Sequence, residues 1–247
     1  MSKECTFCQQ QTDAEQVVNT LTVICETCQD QVRVKWQNNI DRIGELFRNY
    51  RFETFNVNPG NVHAHTAAVK FANRTELKDT DPSGLWITSK NPGNGKTHLG
   101  VSTVRQWLVA NKPPVSWPFE HFSRPWCITS DSKILQDVRK TYQDNSIFDE
   151  EQVIMGYTRY SILMIDDLGK YRATSPDFAQ RILFEIINIR YIQRKPTIFT
   201  SNNTGEELQD YLGEYIFDRM RGMTRFLDTK TKKYVHPIYE ITGESQR

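Results

Sequence analysis

Two amphipathic helices are predicted in the first third of the chain from the spacing of its apolar residues. Between residues 31 and about 51, apolar residues recur at intervals of four, three, four and three, which places them on one helix face. They are Trp36, Ile40, Ile43, Phe47 and Tyr50. A second helix is predicted from about residue 62 to 72. The segment 52–60 contains Asn58-Pro59-Gly60 and is predicted to be a linker.

From residue 84 onward, short apolar runs alternate with helical spacing. The runs predict strands at 85–88, 160–167 and 197–200. Apolar residues at helical spacing follow the first run. A second helix is predicted over 179–192, before the third run, and a further helix over 132–142. Strands that alternate with helices build parallel sheets. The predicted fold class is therefore α/β, with a parallel-sheet core.

The composition is that of an ordinary globular protein. The 247 residues are 38% hydrophobic and 25% charged, enough for one large domain and a small appendage, and the collagen, coiled-coil and disordered classes are excluded. No stretch approaches the roughly 18 to 20 apolar residues that span a bilayer, and the N-terminus lacks the apolar core of a signal peptide. We therefore expect a cytoplasmic protein with no membrane partner.

The net charge at first argues against nucleic acid. Lys plus Arg number 31 against 30 Asp plus Glu, which disfavours binding through overall basicity. Counted by segment, this neutrality is a cancellation, because residues 1–30 carry −4, residues 31–51 carry +3 and residues 217–233 carry +4. The last segment is the strongest basic patch. It is expected to face DNA or a neighbouring subunit, and a solvated turn is the alternative.

Four of the five cysteines form two Cys-x2-Cys pairs, with 16 residues between the pairs. The ligand set Cys5, Cys8, Cys25 and Cys28 predicts a closed tetrahedral site for structural Zn²⁺. Disulfides or unrelated thiols are the alternative, which a reducing cytosol disfavours. Because residues 1–30 are acidic and repel phosphates, we interpret the module as a protein-docking element. A folding nucleus with no other role is the second possibility.

Residues 89–98 read Ser-Lys-Asn-Pro-Gly-Asn-Gly-Lys-Thr-His, between a predicted strand and a predicted helix. Such a loop binds phosphate, because backbone N–H groups converge on the anion and the helix dipole adds positive charge. Lys96 is predicted to reach the β- and γ-phosphates of ATP, and Thr97 to hold Mg²⁺. Lys90 replaces the first glycine of the usual motif, and a simple glycine turn is the alternative. The predicted nucleotide-binding residues are Pro92, Gly93, Asn94, Gly95, Lys96, Thr97, His98 and Asp166.

Two further strand ends carry polar side chains. The run 160–167 ends in Asp166 and Asp167, and Asn202 follows the strand at 197–200. Ligands bind at the carboxyl edge of an open α/β sheet, so these side chains are expected beside the phosphate loop. Asp166 suits the Mg²⁺ shell, Asp167 would orient or deprotonate the attacking water, and the Asn202 amide would sense the γ-phosphate or hold that water. The alternative is a strand that ends at a solvated acidic turn.

Several of these segments together resemble the DnaC/DnaI-type AAA+ helicase loaders and the related IstB-type transposition ATPases. The likeness runs from about residue 50 to the end of the sequence. It is carried by Phe52-Glu53-Thr54-Phe55, Gly95-Lys96-Thr97-His98-Leu99, Leu163-Met164-Ile165-Asp166-Asp167-Leu168-Gly169, Thr200-Ser201-Asn202, Asp218-Arg219-Met220 and Gly243-Glu244-Ser245-Gln246-Arg247. The four-cysteine module resembles the DnaI side of the group, in which that module contacts the replicative helicase.

The resemblance also implies an arginine finger. Arg219 matches that position, and Arg221 is its rival. A finger acts on the ATP of a neighbouring subunit, where its guanidinium neutralises charge on the transferred phosphoryl group, so a homo-oligomer is implied in the ATP state. The other matches make a Walker A pair of Lys96 and Thr97, Walker B acids of Asp166 and Asp167, and sensor 1 of Asn202.

Single-stranded DNA is a further partner that the resemblance implies. In related loaders, helices between the second strand and the Walker B strand grip single-stranded DNA. Here that region carries Arg139, Lys140 and Tyr142, which would supply phosphate contacts and a stacking face. An amphipathic core helix explains these residues as well.

Three further features concern the segments of the predicted core. Residues 111–126 are longer than the family's usual link, and their prolines with Trp117 and Trp126 predict an ordered surface loop or an inert insertion. Cys127 is predicted to be a small buried hydrophobe. Only 28 residues follow Arg219, too few for the helical lid of most AAA+ proteins, which the loaders also lack.

The predicted organisation is a zinc module with a connecting helix at 1–51, a linker with a leading helix at 52–83, and a P-loop AAA+ core without a C-terminal lid domain at 84–247. The predicted function is a slow ATPase, stimulated by DNA or a partner, that loads a hexameric replicative DNA helicase. ATP, Mg²⁺ and Zn²⁺ are the expected cofactors. The alternatives are an IstB-type transposition regulator, which the zinc module disfavours, and a non-hydrolysing nucleotide-binding adaptor.

Overall fold

The computed structural model describes residues 26–75, 78, 80–111, 124–170, 176–228 and 230–242, and the backbone of four short strands nearer the N-terminus. The helices are α1 (Glu26–Leu46), α2 (Val62–Ala72), α3 (Lys96–Ala110), α4 (Asp131–Lys140), α5 (Glu150–Arg159), α6 (Pro176–Ile192), α7 (Gly205–Leu212) and α8 (Glu214–Thr224). The strands are β1 (Lys3–Glu4), β2 (Gln11–Thr12), β3 (Val17–Asn19), β4 (Thr22–Val23), β5 (Gly84–Thr88), β6 (Trp126–Ser130), β7 (Ile162–Asp166), β8 (Thr197–Ser201), β9 (Phe226–Leu227), β10 (Tyr234–Val235) and β11 (Tyr239–Glu240).

A parallel sheet forms the centre of the fold, as the alternation of strands and helices predicts. Its strand order is β11-β5-β8-β7-β6, and each neighbouring pair is parallel. Strand β8 therefore lies between the strand that leads into the phosphate loop and the strand that ends in the two acids. This order decides which side chains meet at the carboxyl edge.

Helices cover both faces of the sheet, and the strand residues alternate between two cores. Leu85 and Ile87 of β5 pack with α1, α2 and α3, whereas Trp86 packs with α4 to α8. The same alternation separates Met164 from Ile165 on β7. Burial on both faces explains why these strands are continuous apolar runs.

The first predicted helix has different bounds in the structure. It begins at Glu26 instead of residue 31 and ends at Leu46, so Phe47 and Tyr50 lie beyond it. Tyr50 instead stacks on His98 of α3, with ring centroids 4.9 Å apart. The helix therefore ends before the apolar pattern does, and the last residue of that pattern makes a tertiary contact instead. The second predicted helix, α2, is confirmed at Val62–Ala72.

The prediction of a surface loop at 111–126 is wrong at the C-terminal end of that segment. Trp126 is the first residue of β6 and is buried, and its indole Nε1 donates a hydrogen bond to the Asn39 carbonyl oxygen of α1 at 3.2 Å. Residues 112–123 lie outside the described part of the chain. Cys127 is buried, as predicted, and its burial raises the pKa of the thiol to about 11.

The N-terminal strands form two antiparallel pairs, β1 with β2 and β3 with β4. Of the four predicted zinc ligands, Cys5, Cys8 and Cys25 lie outside the described residues, and so does the closing 243–247 motif. Cys28 lies in the first turn of α1 and is buried. Within the described residues no cluster of three or more potential ligands forms a metal site, so zinc stays a prediction.

The described part of the chain contains no helix with both the length and the apolar character to cross a bilayer. After α8, the strands β9 and β10 pair with each other, and β11 returns to the sheet beside β5. Residues 233–242 thus contain two short strands, β10 and β11, which belong to two different sheets.

Candidate nucleotide site

The phosphate loop has the backbone that its glycines predict. Gly93 and Gly95 have φ of 83° and 87°, a left-handed conformation that favours glycine, and Gly95 is the N-cap of α3. The buried Asn94 side chain donates to Ser89 Oγ at 3.0 Å and joins the two ends of the loop. Lys90 lies outside the left-handed region, so this position does not require the glycine of the usual motif.

Lys96 lies in the first turn of α3 and is only 5% exposed. Its Nζ lies 3.4 Å from the Asn91 carbonyl oxygen. Burial lowers the pKa of Lys96, and the negative charges of Asp167 and Asp166 oppose that shift. A buried ammonium in this position is a strong partner for phosphate oxygens, because water screens it little.

The two predicted magnesium ligands are hydrogen-bonded to each other. Thr97 Oγ1 donates to Asp166 Oδ1 at 3.1 Å and Oδ2 at 3.0 Å, although Thr97 lies in the first turn of α3 and Asp166 is the last residue of β7. Thr200 Oγ1 donates to Asp166 Oδ1 at 2.5 Å. Burial raises the pKa of Asp166, and the Thr200 hydrogen bond opposes the rise. A hydroxyl beside a carboxylate matches the oxygen ligands of Mg²⁺, so this pair fits the ion.

The second acid is held by an amide and an ammonium. Asn202 Nδ2 donates to Asp167 Oδ1 at 2.8 Å, and Lys170 Nζ donates to Oδ2 at 3.0 Å. Asp167 has a φ of 54°, an uncommon value for a non-glycine residue and typical of functional sites. Among the described residues, the buried Asn202 Oδ1 has no hydrogen-bond partner. This amide oxygen can accept a hydrogen bond from a water molecule at the site.

The backbone that carries Asp167 is fastened to β8. The Asp167 amide donates to Thr200 Oγ1 at 3.0 Å, and the Leu168 amide donates to the Thr200 carbonyl oxygen at 2.8 Å. Ser201 Oγ donates to the Leu168 carbonyl oxygen at 2.7 Å. Thr200 thus contacts both acids, which makes it part of the site. Sequence reasoning quoted Thr200 only within a motif and gave it no role, although a hydroxyl in a buried strand was a signal.

An aromatic cluster lies against the other side of the phosphate loop. The His98 ring stacks on Tyr50 at 4.9 Å and meets Phe55 edge-on at 5.2 Å. His98 Nε2 also lies 2.9 Å from the Arg51 carbonyl oxygen. The 52–60 segment predicted to be a linker is thus anchored beside α3, with Phe55 buried.

Arg219 lies away from the phosphate loop of its own subunit. Its Nε donates to Asn188 Oδ1 at 3.0 Å, and its guanidinium lies 5.0 Å from the centre of the Tyr191 ring. Both partners are on α6, on the face of the sheet opposite α3. Arg221 is exposed, and its carbonyl oxygen lies 2.9 Å from His236 Nδ1.

The three residues predicted to contact DNA are close together and have partners within the chain. The Arg139 guanidinium lies 5.3 Å from the Phe178 ring centre. Tyr142 donates a short hydrogen bond to Glu150, and Lys140 Nζ pairs with a carboxylate of α4 at 3.2 Å. Of the three, Lys140 lines a groove of about 760 Å³ between α4 and α5, and Arg139 and Tyr142 do not line it.

The fold and this site define a P-loop AAA+ core, in which a phosphate loop, two acids and an amide meet at the carboxyl edge of a parallel sheet. Residues 46–223 match the family described as the bacterial DnaA ATPase domain, and the chain belongs to this family.

Individual proteins are similar to this chain as well. The replicative helicase loader DnaC of Escherichia coli (strain K12) is 27% identical over 192 residues, which span 76% of this chain and 70% of the relative. The crystal structure of the DnaC helicase loader has a TM-score of 0.56 at 21% identity and covers 71% of this chain and 93% of that one. The replication initiator DnaA bound to AMPPCP and single-stranded DNA has a TM-score of 0.56 at 18% identity, covering 79% and 50%. The predicted AAA+ fold is confirmed, and the DnaC relative supports the resemblance to helicase loaders.

Proposed function

We propose that this chain is an ATP-dependent helicase loader that assembles with Mg-ATP, binds single-stranded DNA and docks on a hexameric replicative helicase. The observation that carries the proposal is that a chain similar in sequence to DnaC also has a complete nucleotide site. At that site Thr97 contacts Asp166 and Asn202 contacts Asp167, and the segments that carry these residues follow three neighbouring strands. The relative of highest identity reported above is itself a replicative helicase loader.

The arrangement of the site supports a separate role for each residue toward the nucleotide. Lys96 and the loop amides would hold the β- and γ-phosphates, and Thr97 with Asp166 would hold Mg²⁺, which supplies charge neutralisation at the phosphates. Asp167 would accept the proton of the attacking water, which the Asn202 amide would orient. The hydrogen bonds from β8 keep Asp167 in place, so little reorganisation is needed at the moment of reaction.

The position of Arg219 supports action on a neighbouring subunit. Its guanidinium is held on α6 by Asn188 and Tyr191, on the opposite face from its own phosphate loop. A rigidly held arginine at the subunit surface can complete the site of the next subunit, where it stabilises charge on the transferred phosphoryl group. Homo-oligomerisation in the ATP state follows from this role.

Single-stranded DNA is proposed to bind along α4 and α5. The groove there is lined by Lys140, Arg159, Phe148 and Tyr160, which combine cations for the phosphates with rings for base stacking. Arg139 and Tyr142 lie outside the groove lining, beside the Phe178 ring. The DnaA neighbour bound to single-stranded DNA, similar in fold, supports this class of ligand.

The zinc module is proposed to dock the helicase. Strands β1 and β2 flank positions 5–10 in the sequence, β4 ends two residues before Cys25, and Cys28 lies in the first turn of α1. Pairs of cysteines beside hairpins and a helix start suit a closed four-sulfur zinc site. The acidic character of residues 1–30 favours a protein partner over DNA.

Turnover of ATP tests the enzymatic part of the proposal. DNA-stimulated hydrolysis is expected to be lost in Lys96→Ala and Asp167→Asn. Arg219→Ala subunits are expected to regain activity when mixed with Lys96→Ala subunits, because each kind supplies what the other lacks. Binding of ATP without turnover, in the presence of DNA and helicase, would instead identify a nucleotide-binding adaptor.

Capture of a purified replicative helicase tests the docking part. The wild-type chain is expected to retain the helicase, and a double variant, Cys25→Ser/Cys28→Ser, is expected to release it because the zinc site is lost. Retention of helicase by the double variant would refute docking through the module. Circular dichroism of the variant controls for the integrity of the AAA+ core.

A further inference from the structure

Asp131, the first residue of α4, is buried to an unusual degree for a carboxylate. It is 1% exposed, and burial raises its pKa while hydrogen bonds from Gly169 and Ser132 oppose the rise. An acid that only favours the start of a helix can stay in solvent. The N-cap of α4 is already provided by Ser130, whose hydroxyl accepts from the Lys133 amide. The burial of Asp131 therefore needs another explanation.

Two partners of Asp131 lie on the segments that follow β7 and β8, the strands that lead to Asp167 and Asn202. Asp131 Oδ2 accepts from the Gly169 amide at 2.9 Å and from the Tyr211 hydroxyl at 3.2 Å. Gly169 is two residues after Asp167, in the same turn, and Tyr211 is on α7, which follows Asn202 in the chain. One carboxylate oxygen thus joins α4 to both segments.

The backbone of Gly169 is held by close packing and by hydrogen bonds at both of its polar groups. Its φ is +83°, and a Cβ at this position would lie 2.7 Å from Asn203 Nδ2. That same Asn203 Nδ2 donates to the Gly169 carbonyl oxygen at 3.0 Å. Both backbone polar groups of Gly169 are therefore bonded, the amide to Asp131 and the carbonyl to the residue after Asn202.

Helix α4 connects this carboxylate with the proposed DNA surface. Asp131 is at its first turn, and Arg139 and Lys140 are at its last. A helix moves as a rigid rod over this length, so a shift at one end displaces the other. The Asp131 carboxylate is the charged group through which that displacement reaches the turn of Asp167.

We propose that Asp131 is a positioning residue that couples DNA occupancy at α4 to the placement of Asp167 at the nucleotide. The inference rests on the proposed function, since it assumes that the site hydrolyses ATP and that α4 contacts DNA. Asp131 does not touch the nucleotide. It acts through Gly169, and DNA on α4 changes the turnover rate through that hydrogen bond.

The test compares ATP turnover with and without oligothymidylate in two variants and a control. Asp131→Asn is expected to keep the KM for ATP within about 2-fold of wild type and to lower the DNA-stimulated kcat roughly 10-fold, as loss of an outer-shell partner does. Tyr211→Phe removes one bond and is expected to lower that kcat roughly 2- to 5-fold. Asp81→Asn changes a carboxylate that accepts from the Lys78 amide at 3.1 Å, outside α4, α5 and the nucleotide site, and it should leave the stimulation ratio unchanged.

Stimulation by oligothymidylate in Asp131→Asn equal to that in wild type would overturn the inference and leave the ATPase proposal standing. An equal fall in the Asp81→Asn control would show a general stability effect and would also overturn it. Absence of turnover in wild type would overturn the ATPase proposal instead.

Amide hydrogen exchange of residues 165–170 tests the coupling between DNA and Asp167 without a measurement of ATP turnover. Addition of oligothymidylate in the presence of Mg-ATP is expected to change exchange there in wild type and not in Asp131→Asn. The same exchange in both proteins would overturn the coupling.

Discussion

Replacing Thr200 with valine tests whether the strand between the loop and the acids holds the site together. Thr200 is fully buried, and its Oγ1 donates to Asp166 Oδ1 at 2.5 Å and accepts from the Asp167 amide at 3.0 Å. Valine keeps the shape and branching of threonine but makes neither hydrogen bond. Thr200→Val therefore removes the polar link between the two acids and leaves the packing almost unchanged.

The structure gives the expected size of the effect. A hydrogen bond to a charged group contributes about 1.5 to 3 kcal/mol, and a buried amide left without a partner costs about 1 to 3 kcal/mol. Taking the lower part of both ranges, Thr200→Val is expected to destabilise the fold by about 3 kcal/mol. For a domain of this size, that corresponds to a fall in Tm of roughly 6 to 12 °C.

Thr103→Val is the matched control. Thr103 is also fully buried, but its hydroxyl donates to the Leu99 carbonyl oxygen of its own helix at 2.7 Å, and that carbonyl keeps its helical partner when the hydroxyl is removed. We expect a loss of at most about 1 kcal/mol. Urea unfolding followed by circular dichroism, together with DNA-stimulated ATP turnover, measures both variants. Equal destabilisation of the two valine variants, or full turnover in Thr200→Val, would refute the role assigned to Thr200.

The stability deficit of Thr200→Val should also depend on pH. Burial raises the pKa of Asp166 above its ordinary value of 3.8, and the Thr200 hydroxyl lowers it again, so the variant has a still higher Asp166 pKa. A carboxyl whose pKa is higher in the folded protein binds more protons when folded, and stability then falls as the pH rises through that window. The deficit should therefore be largest at neutral pH and should shrink as the pH approaches 4. A deficit that grows on acidification would contradict this assignment.

Two further predictions concern the same edge of the sheet, and a third concerns Arg190, which bonds to Thr197 at the opposite end of β8. Mg-ATP at 100 times its Kd should stabilise the wild type by about 2.7 kcal/mol, and both EDTA and Thr97→Val should abolish the magnesium-dependent part of the Tm shift; an unchanged shift would argue against this ligand pair. Gly169→Ala places a Cβ 2.7 Å from Asn203 Nδ2 at a φ of +83° and should cost about 1 to 3 kcal/mol, whereas Gly205→Ala, where the Cβ meets only ordinary contacts, should change the urea midpoint little. Arg190→Met leaves several buried carbonyl oxygens without the donor that they share in the wild type and should cost about 3 kcal/mol, so an unchanged Tm would show that water replaces the guanidinium.

The sequence predicted the parts of the site whose chemistry is local. The glycines of the phosphate loop, the helix that begins at Lys96 and the run that ends in Asp166 and Asp167 are all recognisable within about ten residues of chain. Local backbone conformation and the alternation of apolar residues determine such features. Their positions in the structure agree with the predictions to within a few residues.

The errors in the sequence predictions arose where distant packing decided the outcome. Apolar spacing extended the first helix to Tyr50, but the structure ends it at Leu46 because Tyr50 stacks on His98. Prolines near Trp126 predicted a surface loop, but the Trp126 ring is buried against α1 and its indole bonds to the Asn39 carbonyl oxygen. Neither contact is visible in a local pattern.

The amino-acid sequence was sufficient to predict an α/β core with a phosphate loop, two acids and an amide at strand ends. The position of β8 between β5 and β7 is visible only in the folded chain, and this strand order brings Thr200 into contact with both acids. Folding also brings Asp131 to Gly169, 38 residues away. The physical reason is that strand order and helix packing follow from the burial of whole faces, to which residues far apart in the chain contribute together.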